Sequence, residues 1–389
     1  MDGGNQWSHL LPKDLLILIV KRLKNRIYVL RLLAVCKSWR SSLLSFLQEE
    51  GLQYSPLKLP LLIPPDYPIN EISGGGYITV SESTIYCLEP SQQNPNASIL
   101  GKASSSSKAI LVEVEEGGPD KLRRLCHLSA LQERRHKKFA KELNLLDLQI
   151  SEISKVYQTK SVDSLFNNDG SILQLPRVKK VVVLSPNPMR AIADSYVVMA
   201  IFDPGRLCFL KSGEEEWTTI FEPRSGYTDV ITCKGKFYAI TDSGVAVVID
   251  SLLKVTKIAS PIHGGGGHQK HLVDSYGDIL LVDRYLGRVY KLDEARRDWV
   301  EMTSLGDRVL FVDVHCTFSV SARVFTACKG NCIYYGSMCS WRYREVFNLE
   351  EGLDGEWRGL DECFLGVGGV LLSLDVSHMP GLSWALVDI

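Results

Sequence analysis

The first candidates for chemistry are histidines beside a run of glycines. His263 and His268 flank four glycines, and backbone N–H groups in such a loop can stabilise an oxyanion. Acyl transfer also needs a nucleophile, and the G-x-S-x-G sequence that exposes a serine on a strand-to-helix turn does not occur in the chain. The pattern therefore favours a glycine-rich hairpin tip over a hydrolase site.

Two groups of potential metal ligands also occur. One comprises His263, His268 and His271, and the other comprises Cys328, Cys332 and Cys339. The histidines have no flanking cysteine or carboxylate at a zinc-site spacing, and Cys332 lies in a strand pattern that alternates its side chains between two faces. No phosphate-binding glycine motif precedes a helix. We expect no catalytic residues, no metal and no cofactor.

The composition is typical of a globular protein. The 389 residues exceed one ordinary domain, and 45% are hydrophobic and 23% charged. A formal net charge of -1 provides no global field for nucleic acid or an anionic membrane, so neither partner is expected. The N-terminus lacks the pattern of a secretory signal, and no run of about 18 apolar residues occurs. We expect a location in the cytoplasm, the nucleus or both.

Three short amphipathic helices are predicted within residues 1–50. Apolar residues recur at helical spacing after Pro12, at Leu15, Leu16, Ile19 and Leu23. Similar runs around Leu30–Ala34 and Leu43–Leu47 predict the second and third helices. A segment of about 45 residues buries too little apolar surface to be stable alone, which favours docking to a partner over a cap packed on the rest of the chain.

The same residues form a recognisable motif. Leu11-Pro12-x-Asp14-Leu15-Leu16 is followed by Ile19, Arg22-Leu23, Arg31 and Val35-Cys36-Lys37-Ser38-Trp39-Arg40, and the series resembles the F-box. In that family three helices bind a Skp-type adaptor, which connects through a cullin scaffold to the ubiquitin-charged enzyme. The resemblance implies adaptor contacts from Pro12, Leu15, Leu16, Ile19, Val35 and Trp39.

One position departs from the family pattern. Tyr28 stands where family members often carry an acidic residue that caps the second helix. A weaker cap costs about 1 kcal/mol, so retention of adaptor binding is the property that this departure puts in question.

Two segments that follow the helices predict a linker and an insertion. The range 51–69 contains five prolines, which disfavour helix and central strand and predict a stiff linker. A basic run over 121–141, followed by helical apolar spacing from Leu143 to Val156, predicts a helical insertion at about 121–157. A nuclear-import signal is the alternative interpretation of the basic run.

The remainder, from about residue 70 to residue 389, is predicted to be an all-β domain. From Val178 onward, short apolar runs alternate with turn residues, as in Phe237–Asp250 and Gly277–Asp293. These hairpins recur at about 40 to 50 residues, the length of one propeller blade. The expected architecture is a three-helix F-box followed by a β-propeller-like domain, with a pair of β-sandwiches as the alternative.

Tryptophans follow a polar stretch near the end of several of these repeats. They are Trp217, Trp299 and Trp357. Their spacing predicts aromatic side chains that wedge between neighbouring sheets.

A second resemblance covers the C-terminal part. Its motifs are Tyr276-Gly277-Asp278-Ile279-Leu280-Leu281-Val282, Ser304-Leu305-Gly306-Asp307-Arg308, Phe318–Ala322, Lys329–Tyr334 and Val346–Glu350. They are similar to the propeller domain of the SKIP-like and KIB-type F-box proteins of plants. The two resemblances together imply a non-catalytic substrate-recognition subunit of a ubiquitin ligase, with a Skp-type adaptor, a cullin and an unknown protein target as partners. The alternative is a propeller scaffold or regulator outside a ligase.

Overall fold

The N-terminal segment folds into three helices. The computed structural model describes residues 11–23, 26–33, 35–49, 57–60, 77–91, 109–118, 121–127, 142–144, 148–162, 177–185, 195–220, 226–262, 269–325, 328–337, 340–350, 358–359 and 383–385. The helices are α1 (Lys13–Arg22), α2 (Arg26–Leu33) and α3 (Lys37–Glu49). None of the helices in these ranges is long and apolar enough to cross a bilayer.

Five antiparallel or mixed sheets follow the helices. Blade 1 contains β1 (Leu57–Pro60), β2 (Tyr77–Pro90), β3 (Ile110–Gly118), β4 (Lys121–His127) and β6 (Leu148–Val162). Blade 2 contains β7 (Val178–Leu184), β8 (Val197–Phe202), β9 (Arg206–Lys211) and β10 (Thr218–Thr219). Blade 3 contains β11 (Tyr227–Cys233), β12 (Lys236–Thr241), β13 (Ala246–Ile249) and β14 (Val255–Ala259).

Blades 4 and 5 complete the set. Blade 4 contains β15 (Lys270–Ser275), β16 (Asp278–Asp283), β17 (Arg288–Asp293) and β18 (Asp298–Met302). Blade 5 contains β19 (Arg308–Val312), β20 (Thr317–Ser321), β21 (Cys332–Ser337), β22 (Ser340–Asn348) and β23 (Arg358–Gly359). The strands β5 (Glu142–Asn144) and β24 (Ser383–Ala385) pair separately.

The sheets form a five-bladed β-propeller. One strand of each blade, in the order β6, β7, β11, β15 and β20, contacts its neighbours on both sides, and the contact between β20 and β6 closes the circle. These five strands surround the propeller axis. The predicted β-propeller is thus confirmed, and the alternative of paired sandwiches is excluded because separate sandwiches would not form a closed ring.

Blades 1 and 5 depart from the regular strand order. Blades 2, 3 and 4 begin with the inner strand and continue outward, whereas the inner strand of blade 1 is β6, which follows the other strands of that blade. In blade 5 the chain forms β19 before the inner β20 and then returns to pair β21 in parallel with β19. Blades 1 and 5 meet through packed side chains, and none of the described strands belongs to both.

Tight turns explain why the hairpins form where the sequence predicts them. Lys234-Gly235 joins β11 to β12 with φ values of 49° and 71°, and Tyr276-Gly277 joins β15 to β16 with 55° and 82°. Two successive residues with positive φ match the right-handed twist of paired strands. Glycine adopts this conformation without a steric penalty, so each of these glycines fixes the end of an inner strand.

The predicted tryptophan wedges are confirmed at two positions. The indole Nε1 of Trp217, just before β10, donates a hydrogen bond of 2.8 Å to the carbonyl of Pro60 in blade 1. The indole Nε1 of Trp299 in β18 donates a bond of 2.8 Å to the carbonyl of Gly244 in blade 3. Each outer strand is therefore tied to the preceding blade. Trp357 lies outside the described residues.

Two sequence predictions for blade 1 are wrong. Lys121–His127 and Leu148–Val162 form strands, not parts of a helical insertion over 121–157. Helical spacing of the apolar residues misled the prediction, because β-bulges in the pairing of β6 with β2 break the alternation that marks a strand. The linker predicted for 51–69 contains β1, which pairs at the outer side of β2, so the propeller begins before residue 70.

The helices pack directly on blade 1. Buried residues of all three helices and of three strands form one hydrophobic core, which we call the junction core: Leu16, Val20, Val29, Leu33, Leu43, Phe46, Leu47, Tyr86, Leu88, Val112, Val114, Leu148 and Ile150. The Arg31 guanidinium also donates a hydrogen bond of 2.7 Å to the carbonyl of Leu148. The helical segment is thus packed on the rest of the chain, the arrangement that the sequence reasoning disfavoured.

Candidate adaptor surface and propeller axis

Helix α1 has two apolar faces with different environments. Leu16 and Val20, four residues apart, are buried in the junction core. Leu15, Leu18 and Ile19 point away from it and are 46%, 52% and 39% exposed. We call these three residues the α1 strip. An apolar strip on a helix whose other face is already buried is a surface suited to a partner's groove.

The ends of α1 are placed by local sequence. Pro12 occupies the N-cap position with extended backbone, and Asp14 lies in the first turn. Lys21 and Arg22 lie in the last turn, where positive charge complements the helix dipole. The Lys21 ammonium also lies 5.3 Å from the centre of the Phe46 ring, which links α1 to α3.

The six residues predicted to bind an adaptor divide between surface and core. Pro12, Leu15, Ile19 and Val35 are exposed. Leu16 is 2% exposed and Trp39 is partly buried against the junction core, so both stabilise the packing of the helices. Leu18 was missed by the sequence reasoning, although its position three residues after Leu15 places it on the same helix face.

Tyr28, the departure from the F-box pattern, is an exposed side chain of α2. The guanidinium of Arg31 lies 5.5 Å from the centre of its ring. Desolvation lowers the pKa of Arg31, but a guanidinium remains charged in proteins and can make this cation–π contact. The residues immediately before α2, where a cap would stand, lie outside the described ranges.

A second concentration of polar groups lies along the inner strands. The Lys180 ammonium of β7 and the Asp229 carboxylate of β11 form a buried ion pair of 2.5 Å between blades 2 and 3. Asp229 also accepts hydrogen bonds of 2.8 Å from the backbone N–H groups of Val230 and Leu272, the latter in blade 4. One carboxylate therefore connects three consecutive blades.

Further buried contacts continue this network. Lys270 of β15 and Asp283 of β16 form a buried ion pair of 3.1 Å within blade 4. The hydroxyl of Thr317 in β20 donates a bond of 2.5 Å to the carbonyl of Leu272, which joins blade 5 to blade 4. Each of these side chains lies against an opposite charge or a backbone group, as burial away from water favours, although Asp283 Oδ2 accepts no hydrogen bond within the described residues.

Two histidines, His271 and His315, are influenced by the charge of Lys180. Burial lowers the pKa of His271 to about 4, and the Asp229 carboxylate, 4.0 Å from its Nδ1, offsets part of this shift. Burial also lowers the pKa of His315, despite the nearby Asp313. The Lys180 charge depresses both pKa values further, so both imidazoles are neutral at pH 7.

The chemistry available at the axis is limited. Burial raises the pKa of the Cys316 thiol to about 12, so the reactive thiolate is not formed near neutral pH. Burial raises the pKa of Asp313 as well. A protonated thiol, neutral histidines and carboxylates engaged by lysines and backbone N–H groups are suited to holding blades together, not to nucleophilic attack.

The residues first considered as metal ligands do not assemble where the structure describes them. His271 faces Asp229 at the axis, whereas Cys328 and Cys332 are buried between blades 5 and 1. No group of three potential ligands forms a metal site among the described residues. His263, His268 and Cys339 lie outside those residues.

Comparison with known proteins decides the family. The sequence profile of the KIB1-4 beta-propeller matches residues 141–352, more than half of the chain. The chain belongs to this family. The match covers blades 2 to 4 completely and most of blade 5, together with β6 of blade 1.

Relatives of this chain carry F-box names. The putative F-box protein At5g60060 of Arabidopsis thaliana is 30% identical over 81% of this chain and 84% of its own length. The F-box protein SKIP23 of the same plant is 28% identical over 89% and 86%. The chain is accordingly a plant-type F-box protein.

Solved structures add little. The match to YCF48 from Cyanidioschyzon merolae covers 57% of this chain and 56% of the YCF48 chain, at 11% identity and a TM-score of 0.24. A score this low carries no argument about function.

Proposed function

We propose that this protein is the substrate-recognition subunit of a Skp–cullin–F-box ubiquitin ligase. The helices bind a Skp-type adaptor, and through it a cullin scaffold, while the propeller binds a target protein. The polypeptide catalyses nothing itself and acts in the cytoplasm, the nucleus or both. Its contribution is proximity, because a target held near the charged ubiquitin donor reacts at a raised effective concentration.

The observation that carries this proposal is the α1 strip. The other face of α1 is buried against blade 1, and the packing of the described residues leaves Leu15, Leu18 and Ile19 exposed. The strip lies within the F-box motif, and similar proteins carry F-box names. An adaptor groove would cover this apolar surface.

Adaptor binding is tested with purified full-length protein and a Skp-type adaptor. Changing Leu15 and Ile19 together to Ala removes two exposed apolar side chains and retains helix propensity. We expect a loss of about 2–4 kcal/mol of binding free energy, which raises Kd about 30- to 1,000-fold in a calorimetric titration. Leu252→Ala, at an 87% exposed position between β13 and β14, is the matched control and should bind like wild type.

Either result is informative. Wild-type protein that is folded but does not bind the adaptor would contradict the ligase proposal and favour a scaffold or regulator outside a ligase. Binding that is equally strong in the Leu15→Ala/Ile19→Ala variant would show that the adaptor contacts a surface other than the α1 strip. Binding of wild type would also show that Tyr28 is compatible with the adaptor.

A further inference from the structure

We propose that the adaptor-facing helices are held in their folded form by blade 1, so that the α1 strip is presented only by a chain whose blade 1 is folded. The functional consequence rests on the proposed adaptor binding, whereas the coupling itself does not. Such coupling would make adaptor binding depend on correct folding, because a chain whose blade 1 is unfolded would fail to bind the ligase.

The composition of the junction core supports this coupling. Each of the three helices contributes at least two buried side chains, and blade 1 contributes Tyr86, Leu88, Val112, Val114, Leu148 and Ile150. Three helices of 10, 8 and 13 residues are too short to be stable in water without tertiary packing. Their buried faces therefore depend on the blade.

The strands of blade 1 also depend on the helices. Along β2, Ile85 and Cys87 face the core shared with blade 5, whereas Tyr86 and Leu88 face the helices. Without the helices, the second face would expose apolar side chains of β2, β3 and β6 to water. Arg31 adds a directional contact, since it donates to the carbonyl of Leu148 at the start of β6.

The exposed face and the buried face of α1 are thus formed by residues that are adjacent in the sequence. Leu15 is exposed on the α1 strip, and the adjacent Leu16 is buried in the junction core. Loss of packing around Leu16 would unravel the helix that orders the strip. Helix stability and strip presentation are therefore controlled by the same buried surface, and adaptor binding should in turn stabilise blade 1 by linkage.

The test is native-state hydrogen exchange on the full-length chain without adaptor, comparing two matched variants. Ile150→Val removes one methylene from the junction core, and Ile279→Val removes one from the core between blades 3 and 4. Both isoleucines are 4% exposed, and both changes are mild enough for the protein to fold. We expect Ile150→Val to accelerate exchange of amides in α1, α2 and α3 about two- to tenfold.

Ile279→Val should accelerate exchange in blades 3 and 4 and leave the helices unchanged. The proposal is overturned if Ile150→Val leaves helix exchange at the wild-type rate, or if both variants accelerate it equally. Because no adaptor is present, this outcome is independent of whether the protein binds one. Failure of adaptor binding with a positive exchange result would reject the ligase function and retain the coupling.

Discussion

At the scale of single residues, the Lys180–Asp229 ion pair is the most consequential polar contact. Both side chains are buried, and Asp229 has additional hydrogen bonds to two backbone N–H groups. Removing one member of a buried pair leaves an uncompensated charge in a medium of low dielectric, whereas removing both charges avoids that penalty. The neighbouring pair Lys179–Asp203, at 3.0 Å, is 42% exposed on both sides and screened by water.

Lys180→Met should therefore lower the free energy of unfolding by about 3–5 kcal/mol, measured by urea denaturation. The double variant Lys180→Met/Asp229→Asn should recover part of this loss, because it removes the uncompensated charge, while Asn keeps an acceptor for one of the two backbone N–H groups. Lys179→Met is the control and should change stability by no more than about 0.5 kcal/mol. A double variant that is no more stable than Lys180→Met would show that the unpaired charge of Asp229 is not the source of the loss.

At the scale of elements, the outer strands are held by directional bonds between blades. Trp217 and Trp299 each donate an indole hydrogen bond to a backbone carbonyl in the preceding blade. Trp217 also packs edge-to-face on Phe202, with ring centres 5.1 Å apart. These contacts combine apolar burial with a polar anchor and so fix the angle between neighbouring sheets.

Trp299→Phe should lower the free energy of unfolding by about 1–2 kcal/mol, because the ring is largely retained but the bond to the Gly244 carbonyl is lost. Thermal unfolding followed by circular dichroism measures the effect. Val300→Ala, at the adjacent exposed position, should be close to neutral. A Trp299→Phe variant with wild-type stability would mean that water replaces the indole N–H without cost.

At the scale of the whole molecule, the ring is closed by packing between blades 5 and 1. Phe311 stacks on Phe318 and on Tyr334, with ring centres 4.8 Å and 5.2 Å away, and these residues share a core with Ile85 and Val156 of blade 1. Groups from blades 2 to 5 also meet at the axis. The protonation of those axial groups therefore affects the stability of the entire ring.

Acid should destabilise the ring through its neutral histidines. The folded-state pKa of His271, about 4, is below the ordinary value of 6.5, so the unfolded chain binds the proton more readily. Neutral, buried His271 therefore contributes up to about 3 kcal/mol to the free energy of unfolding. This contribution is complete above about pH 6.5 and is lost as pH falls through about 4. The lowered pKa of His315 acts in the same direction, and the raised pKa of Asp313 partly offsets it.

Denaturation midpoints measured between pH 7.5 and pH 4 check this expectation. Wild type should lose stability across that range, and His271→Asn should show a smaller loss because one titrating group is absent. Equal slopes for the two proteins would exclude His271 as a source of the acid sensitivity.

Local sequence determined several features of this protein. The periodic leucines of α1, the turns at Lys234-Gly235 and Tyr276-Gly277 and the positions of Trp217 and Trp299 follow from helical period, positive φ and repeat spacing, which act over short distances. The F-box and KIB resemblances likewise rest on contiguous motifs. The family match supports the KIB resemblance, and the F-box names of similar proteins support the other.

Only the tertiary structure decided which apolar and charged residues meet. Leu15 and Leu16 are equivalent in the sequence, yet one is exposed and the other is buried on blade 1. Lys180, Asp229 and His271 are distant along the chain and assemble because inner strands of three blades converge on one axis. The apolar spacing of β6 predicted a helix. The segment forms a strand because its pairing with β2, a long-range contact, overrides that local pattern.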